Sequence, residues 1–495
     1  MRDNRTNSGF LSLRSVLLFL AVLLLTFEGN AISSKAQSDQ EIVLVGGTVI
    51  DGTGRGPIPD AVVLIRGHRI INVGSRSRLK YPKSARIIDT TGQYILPGFI
   101  DIHVHYFDWM GELFLAHGVT TVKDVGNFVE WISVVSAEVE QGKVRGPRIF
   151  YAGNGLDTPP PKREHFIGLE SPQMAGRVVE LLHQRGASAI KVRERITPEI
   201  LRAITEKAHQ LNIRVTGHIR KVDAYEAARA GIDGLEHASG IVQATADRSA
   251  RIDLDSISDD YQRYVAERKS YSLIDPAKAK ELVKFLASKN VALIPTMAGW
   301  WRMASERRDD FAREDAEYAS NPALAYVPEE TRKIWATSFL YKLNNADDLT
   351  RVRLGYKNVQ KVLKEHSQAG GKVLAGSDTF ISIPGLSLQR ELVFLVDAGF
   401  TPLQAISMAT RDNAQFLGQG KELGTITPGK LADILVLSAN PLDNIRHTQS
   451  VAMVFKSGRI VDITYHAGYS VPTPRPQLTR PLWIEKQLRK EQKTR

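Results

Sequence analysis

His103 and His105 stand two residues apart in the run Pro97-Gly98-Phe99-Ile100-Asp101-Ile102-His103-Val104-His105. On a β-strand that spacing puts both side chains on one face. Two imidazoles so placed can share a borderline-soft cation such as Zn2+. Four other polar residues end apolar runs. Lys191 stands in Ala189-Ile190-Lys191-Val192, and His218 follows Arg214-Val215-Thr216-Gly217. His237 follows Gly234-Leu235-Glu236, and Asp378 follows Val373-Leu374-Ala375-Gly376-Ser377. Any one of them alone reads as a satisfied core or surface group. Four His, one Lys and one Asp on five such runs are hard to reconcile with that reading.

These residues need elements that converge. Apolar, strand-like runs occur at 99–105, 119–125, 148–154, 189–193, 213–218, 232–238, 291–296 and 372–378. Helical stretches such as Met174 to Arg185, Pro198 to Leu211 and Val222 to Arg229 lie between most of them. Eight strands alternating with helices give an α/β fold, a TIM (β/α)8 barrel over residues 97–420, whose strand C-terminal ends meet at one face. Shorter β-branched runs punctuated by Gly and Asp fill residues 37–96 and return at 421–470, so both termini are expected to build one small β-sandwich. Two long stretches, 242–277 and 300–350, interrupt the alternation, and each would sit over the site-bearing face. The Pro-rich, basic tail 471–495 reads as a surface extension.

The 495 residues carry a formal charge of +11, with 24% charged and 43% hydrophobic residues. The basic residues are scattered among acids outside the tail, and no nucleic-acid-binding signature accompanies them. Nucleic acid is therefore not expected as a partner. The absence of cysteine excludes disulfides and thiolate chemistry. Arg2, Arg5 and Arg14 precede an apolar run from Val16 to Phe27, and small residues follow it. That pattern reads as a secretory signal peptide over residues 1–36, hence a periplasmic or secreted protein with no stable membrane insertion after cleavage. The apolar run is shorter than the roughly 20 residues of a transmembrane helix. Self-association as a homo-oligomer is left open.

The HxH after Pro-Gly-x-Ile-Asp, then Lys, two single His and a late Asp, resembles the amidohydrolase superfamily. Gly118-Val119-Thr120-Thr121-Val122-Lys123-Asp124-Val125-Gly126, Leu386-Ser387-Leu388-Gln389-Arg390-Glu391-Leu392 and the run Leu423 to Ile434 are similar to its prolidase-like and imidazolonepropionase-like branch. The resemblance covers residues 41 to about 465. It implies that His103, His105 and Asp378 hold one metal and that His218 and His237 hold a second. Lys191, carboxylated on its amine, would bridge them. With Lys191 unmodified the site would be mononuclear. A metal-activated water would attack an amide-type carbonyl, with Asp378 as general base and then acid. The implied activity is C–N hydrolysis, with a dipeptide of the Xaa-Pro type or an N-acyl amino acid as substrate. A cyclic amide or lactone ring is the alternative. A catalytically inactive barrel acting as a binding protein would require lost ligands, and all six positions are filled.

Departures from the pattern bear on substrate. Arg193 lies two residues after Lys191, and Arg220 two after His218, so either could clamp a small-molecule carboxylate. Gln389 stands where many relatives place a His. Tyr261, Tyr264, Tyr271, Trp300 and Trp301 could form an aromatic lid. His117, His183, His209 and His366 read as surface or packing residues.

Overall fold

The computed structural model describes residues 41–337, 341, 343, 345–380, 382–476 and 482–493. The expected signal peptide, 1–36, lies outside the described residues. The N-terminal strands are β1 (Glu41–Val45), β2 (Thr48–Val49), β3 (Ala61–Arg66), β4 (Arg69–Ser75), β5 (Arg86–Asp89) and β6 (Tyr94–Pro97). The parallel strands are β7 (Phe99–Val104), β8 (Val119–Asp124), β9 (Arg148–Tyr151), β10 (Gly155–Asp157), β11 (Phe166–Gly168), β12 (Ala189–Val192), β13 (Arg214–Gly217), β14 (Gly234–Glu236) and β15 (Ala292–Ile294). The C-terminal strands are β16 (Ile434–Leu437), β17 (Val451–Lys456) and β18 (Arg459–Val461).

Both chain ends build the small β-unit. One sheet runs β4-β3-β1-β5, and the other runs β18-β17-β16-β6-β2. In the second sheet β6 pairs antiparallel with β16, Leu96 opposite Leu435. Alternation along β1 and β3 sends Ile42, Leu44, Val63 and Ile65 into a core shared with Ile434, Val436 and Phe455 of the other sheet. Val43, Val45, Val62 and Leu64 go to a second cluster on the opposite face. Burial on both faces explains why these runs are apolar at every position rather than at alternate ones.

The parallel strands form two sheets, β7-β8-β9 and β11-β10-β12-β13-β14-β15. The expected third strand, 148–154, is shortened to β9, which pairs with β8, and a further strand, β10, follows it and pairs with β12. The expected eighth strand, 372–378, is corrected to extended chain with isolated bridges. Its backbone still bonds on both sides, Leu374 N to Leu293 O at 2.9 Å and Asp378 N to His103 O at 2.9 Å. The cause is close approach to β7. A Cβ on Gly376 would stand 2.7 Å from His103 Cβ, and Asp378 is left-handed with φ 52°.

The helices between strands start where the sequence provides caps. Ser171 caps Pro172–Gln184 and Thr197 caps Pro198–Gln210, each with proline in the first turn. Asp223 forms a capping box with Glu226 on Ala224–Arg229. Such caps satisfy amide groups that the first helical turn leaves without partners. Among the described residues no helix is long and apolar enough to cross a membrane.

Both interruptions of the alternation are largely helical rather than loop. The first contains Asp260–Ser270, and the second contains Arg308–Ser320 and Glu329–Thr337. The tail also departs from expectation, because it is docked. Val471, Leu482 and Ile484 are buried, the Trp131 indole donates to Thr473 O, and Arg177 on Pro172–Gln184 pairs with Glu491 at 2.6 Å.

Candidate metal centre

The strand ends bring His103, His105 and Asp378 together. Asp378 Oδ1 lies 3.3 Å from His103 Nε2 and 3.5 Å from His105 Nε2. Asp101, the acid of the Ile-Asp-Ile-His run, sets this register. Its Oδ1 accepts from His103 N at 3.2 Å and Ser377 N at 3.0 Å, and its Oδ2 accepts from Ser377 Oγ at 2.5 Å. One buried carboxylate thus ties β7 to the segment that carries Asp378. Burial pushes its pKa up to about 7 against those hydrogen bonds.

His237 joins the cluster from the end of β14. Its ring lies 4.9 Å from the His103 ring and 4.7 Å from the His218 ring. Its Nδ1 meets Thr296 Oγ1 at 2.6 Å, and that hydroxyl donates to Pro295 O. The hydroxyl proton being used, Nδ1 must donate, which leaves Nε2 with a lone pair for a metal. His237, Thr296 and Asp378 all have positive φ, at 59°, 49° and 52°. Left-handed backbone at non-glycine residues costs about 1–3 kcal/mol each, and it concentrates at functional sites.

His218 stands beside His237 but faces carboxylates. Its Nε2 is 3.3 Å from Glu267 Oε1, and its Nδ1 is 3.6 Å from Glu194 Oε1. Lys191 Nζ is in close contact with Glu236 Oε2. Glu236 was not singled out in the sequence, although it immediately precedes His237. It is fully buried, accepts from Thr216 Oγ1 at 2.7 Å, and its Oε1 lies 3.5 Å from His103 Nδ1. The signal was there in the alternation, since Glu236 is a charged residue inside an apolar strand.

Electrostatics favour a cation here. Burial, with Lys191 adding to it for His103, holds His103, His105 and His237 well below the usual histidine range. Burial resists ionisation of Asp378, but His237, His105 and Lys191 outweigh it and hold its carboxyl below the ordinary value. Neutral imidazoles around an ionised carboxylate are what a divalent ion requires. Both ring nitrogens of His103 are buried without a hydrogen-bond partner, a costly state for polar atoms unless something binds them. Two groups have ligand atoms within 4.8 Å of one another: His103, His105 and Asp378, and His103, Glu236 and His237. The residues therefore fit a metal. Burial, and then Arg193, hold Lys191 well below the usual lysine range, which favours the neutral amine, the form that can add CO2.

The model of the amidohydrolase family matches residues 94–461. The chain belongs to the amidohydrolase family. It is 21% identical over 426 residues to guanine deaminase of Escherichia coli (strain K12), covering 81% of this chain and 86% of that protein. Against the 5-methylthioadenosine/S-adenosylhomocysteine deaminase of Symbiobacterium thermophilum it is 34% identical over 67 residues, 13% of this chain and only 15% of that relative's length. The fold is similar to a Xaa-Pro dipeptidase solved with bound methionine, with TM-score 0.60, 20% identity, and coverage of 86% of this chain and 100% of that one. Structural relatives of this kind carry the α/β TIM-barrel architecture.

In this amidohydrolase the cluster of His105, His218, His237 and Asp378 opens into a cleft of about 690 Å³. Arg193 and Arg220 both line it, as do Tyr261, Tyr264 and Trp300. Arg220 is already engaged, by Glu267 Oε1 at 2.9 Å and Glu194 Oε1 at 3.2 Å. Arg193 donates to Glu194 at 3.2 Å and lies over Phe166, while its Nε has no partner. The lid expectation is corrected for Tyr271 and Trp301. Both are buried, packed edge to face at 5.3 Å, and the Tyr271 hydroxyl donates to His237 O. Gln389 is structural, donating to His117 O at 3.0 Å and Thr448 O at 2.8 Å. His117 and His366 are buried and bonded to backbone carbonyls, as packing residues should be.

Proposed function

We propose that this chain is a zinc-dependent amidohydrolase that cleaves an amide C–N bond in a small substrate carrying a carboxylate, a dipeptide of the Xaa-Pro type or an N-acyl amino acid. The observation that carries it is the His103–His105–Asp378 triad, with both His103 nitrogens buried and, among the described residues, without a hydrogen-bond partner at the base of an open cleft. His103, His105 and Asp378 would hold the ion, with His237 beside them. His218 and a carboxylated Lys191 would complete a binuclear site. When bound, the ion supplies Lewis acidity to the substrate carbonyl and lowers the pKa of a water molecule.

The chain's own residues do the rest. Asp378 Oδ1 faces the two histidines, and its Oδ2 accepts from Trp300 Nε1 at 2.9 Å. A carboxylate oxygen has a second lone pair, so Oδ2 can accept a proton from the attacking water and deliver it to the leaving nitrogen. Thr296 fixes the tautomer of His237, and Tyr271 fixes its carbonyl.

A panel assay tests the reading, with Zn2+-loaded protein offered Xaa-Pro dipeptides, N-acyl amino acids and cyclic amides. Turnover of the first two classes is expected. Turnover of cyclic substrates alone would replace it with ring C–N hydrolysis. We infer a periplasmic or secreted location from the N-terminal segment. Cell fractionation that finds the full-length chain in the cytoplasm would refute it.

A further inference from the structure

Arg475 belongs to the tail, outside both the barrel and the sandwich, yet it lines the same cleft as His105 and Asp378. The tail is held in place on either side of it. Thr473 O accepts from the Trp131 indole at 2.8 Å, and the helix Trp483–Lys493 docks on Pro172–Gln184 through Glu491. Arg475 itself is fixed at three points. Its Nε donates to Asn127 Oδ1 at 2.8 Å, and its guanidinium lies over Phe107 at 4.8 Å and Phe128 at 5.3 Å. Asn127 in turn donates to Asp124 Oδ2 at the end of β8, so the arginine is anchored to the strand-end face of the barrel.

This half-buried guanidinium is left with work undone. Among the described residues its two terminal nitrogens have no hydrogen-bond partner, and no carboxylate side chain lies within ion-pair distance. The same holds for Arg163, whose guanidinium stands 5.5 Å over Phe380. Arg220, by contrast, is consumed by Glu267 and Glu194. An aromatic wall links the free pair to the metal ligands. Phe380 contacts the His105 ring at 6.0 Å and Phe107 at 5.9 Å. His165 marks where the cations converge. A Cβ on Gly126 would lie 3.5 Å from both His105 Nδ1 and His165 Nε2. Burial pushes His165 down to about 3, with Arg475, Arg163 and Arg193 adding to it.

We propose that Arg475, supplied by the C-terminal tail and assisted by Arg163, is the specificity-determining residue that receives the substrate's carboxylate through its two free terminal nitrogens. The proposal deepens the functional reading above and rests on it for the presence of that carboxylate. A pre-oriented guanidinium offers two parallel N–H donors to a planar carboxylate, and the Phe107 stack keeps that fork from collapsing. A neutral carboxamide in the same position loses the charge and one acceptor oxygen.

The test compares N-acetyl-L-proline with N-acetyl-L-prolinamide on the Zn2+-loaded full chain. KM is read where a compound is hydrolysed, and calorimetric Kd where it is not. In the wild type the carboxylate is expected to be favoured at least tenfold, the scale of one charge-assisted hydrogen bond. In Arg475→Gln that ratio collapses toward one, with KM rising more than kcat falls, and Arg475→Lys restores part of it. A wild-type ratio near one overturns the proposal. So does a ratio that survives in Arg475→Gln, or an equal weakening of both compounds with a lowered melting temperature, which marks a structural strap. Failure of the hydrolase reading looks different: neither compound turns over, while the Kd ratio still decides the role of Arg475.

Discussion

Trp300 and Asp378 are joined at one atom, the indole Nε1 donating to carboxylate Oδ2 at 2.9 Å. The same indole stacks on His237, with centroids 4.4 Å apart and planes 17° from parallel. One side chain thus orients both the proposed proton carrier and a candidate metal ligand. Gly299 next to it lets this approach happen, because a Cβ there would lie 3.0 Å from Asp378 Cβ. Trp300→Phe keeps a stacking ring and deletes the bond. Hydrogen bonds to charged groups contribute about 1.5–3 kcal/mol, so kcat should fall roughly ten- to a hundredfold. Metal content should not change. An unaltered kcat would show that Asp378 needs no such orientation.

In the proposed centre, the metal count turns on Lys191. Its amine, which burial shifts toward the neutral form, faces Glu236. Carboxylation would turn it into an anionic ligand. Protein prepared with Zn2+ and bicarbonate should bind two ions per chain, and Lys191→Ala no more than one. Elemental analysis of both proteins checks this. Two ions retained by the variant would remove Lys191 from the centre.

Lys123 gives stability a pH dependence. It is fully buried on β8, donates to Thr216 Oγ1 at 3.3 Å, and has no carboxylate partner within ion-pair distance among the described residues. Burial lowers it to about 7, with Arg214 contributing. Below that value the ammonium is charged in both states and the folded protein bears the full penalty. Between pH 7 and the unfolded value near 10.5 the unfolded chain binds more protons, so this residue's contribution makes stability rise with pH. Denaturant titrations should show that rise in the wild type and a flatter profile in Lys123→Met. Identical slopes would contradict a depressed Lys123.

Arg390 explains the Leu386–Leu392 run without reference to chemistry. It pairs with Asp315 at 2.6 Å and Glu314 at 2.9 Å, almost fully buried, and so clamps the insertion helix Arg308–Ser320 to Leu386–Asp397. Removing one partner of a buried pair leaves the other charge uncompensated, at a cost of about 3–5 kcal/mol. Arg390→Ala should lose that much in equilibrium unfolding. A loss below about 1 kcal/mol would mean that the clamp is not coupled to folding.

Much of the fold was legible because periodicity and caps carry local information. The apolar runs at 99–105, 189–193 and 213–218 became β7, β12 and β13 within a residue or two, and Pro198 opened its helix as expected. The run at 372–378 misled, since its departure from regular strand depends on contact with His103 across the chain. The four histidines and Asp378 could be found from strand-end position. Glu236 was legible as a charged residue inside an apolar strand, but its contacts with Lys191 and His103 come only from the fold. Arg475 could not be found at all from local pattern. Its place follows from how a tail of prolines and basic residues docks on Trp131 and Asn127. Arg220 shows the converse: the spacing pointed at the cleft correctly, but the two glutamates that occupy it come from β12's following loop and a distant helix.

The central claim is that His103, His105, His237 and Asp378 form a metal centre on which turnover depends. The most direct measurement is the metal content of the purified full chain prepared with Zn2+ and bicarbonate, followed against activity as the metal is chelated and restored. The account predicts at least one ion per chain, loss of amide hydrolysis on chelation, and its return with Zn2+. Less than one ion per chain, or hydrolysis that persists after chelation, would contradict it.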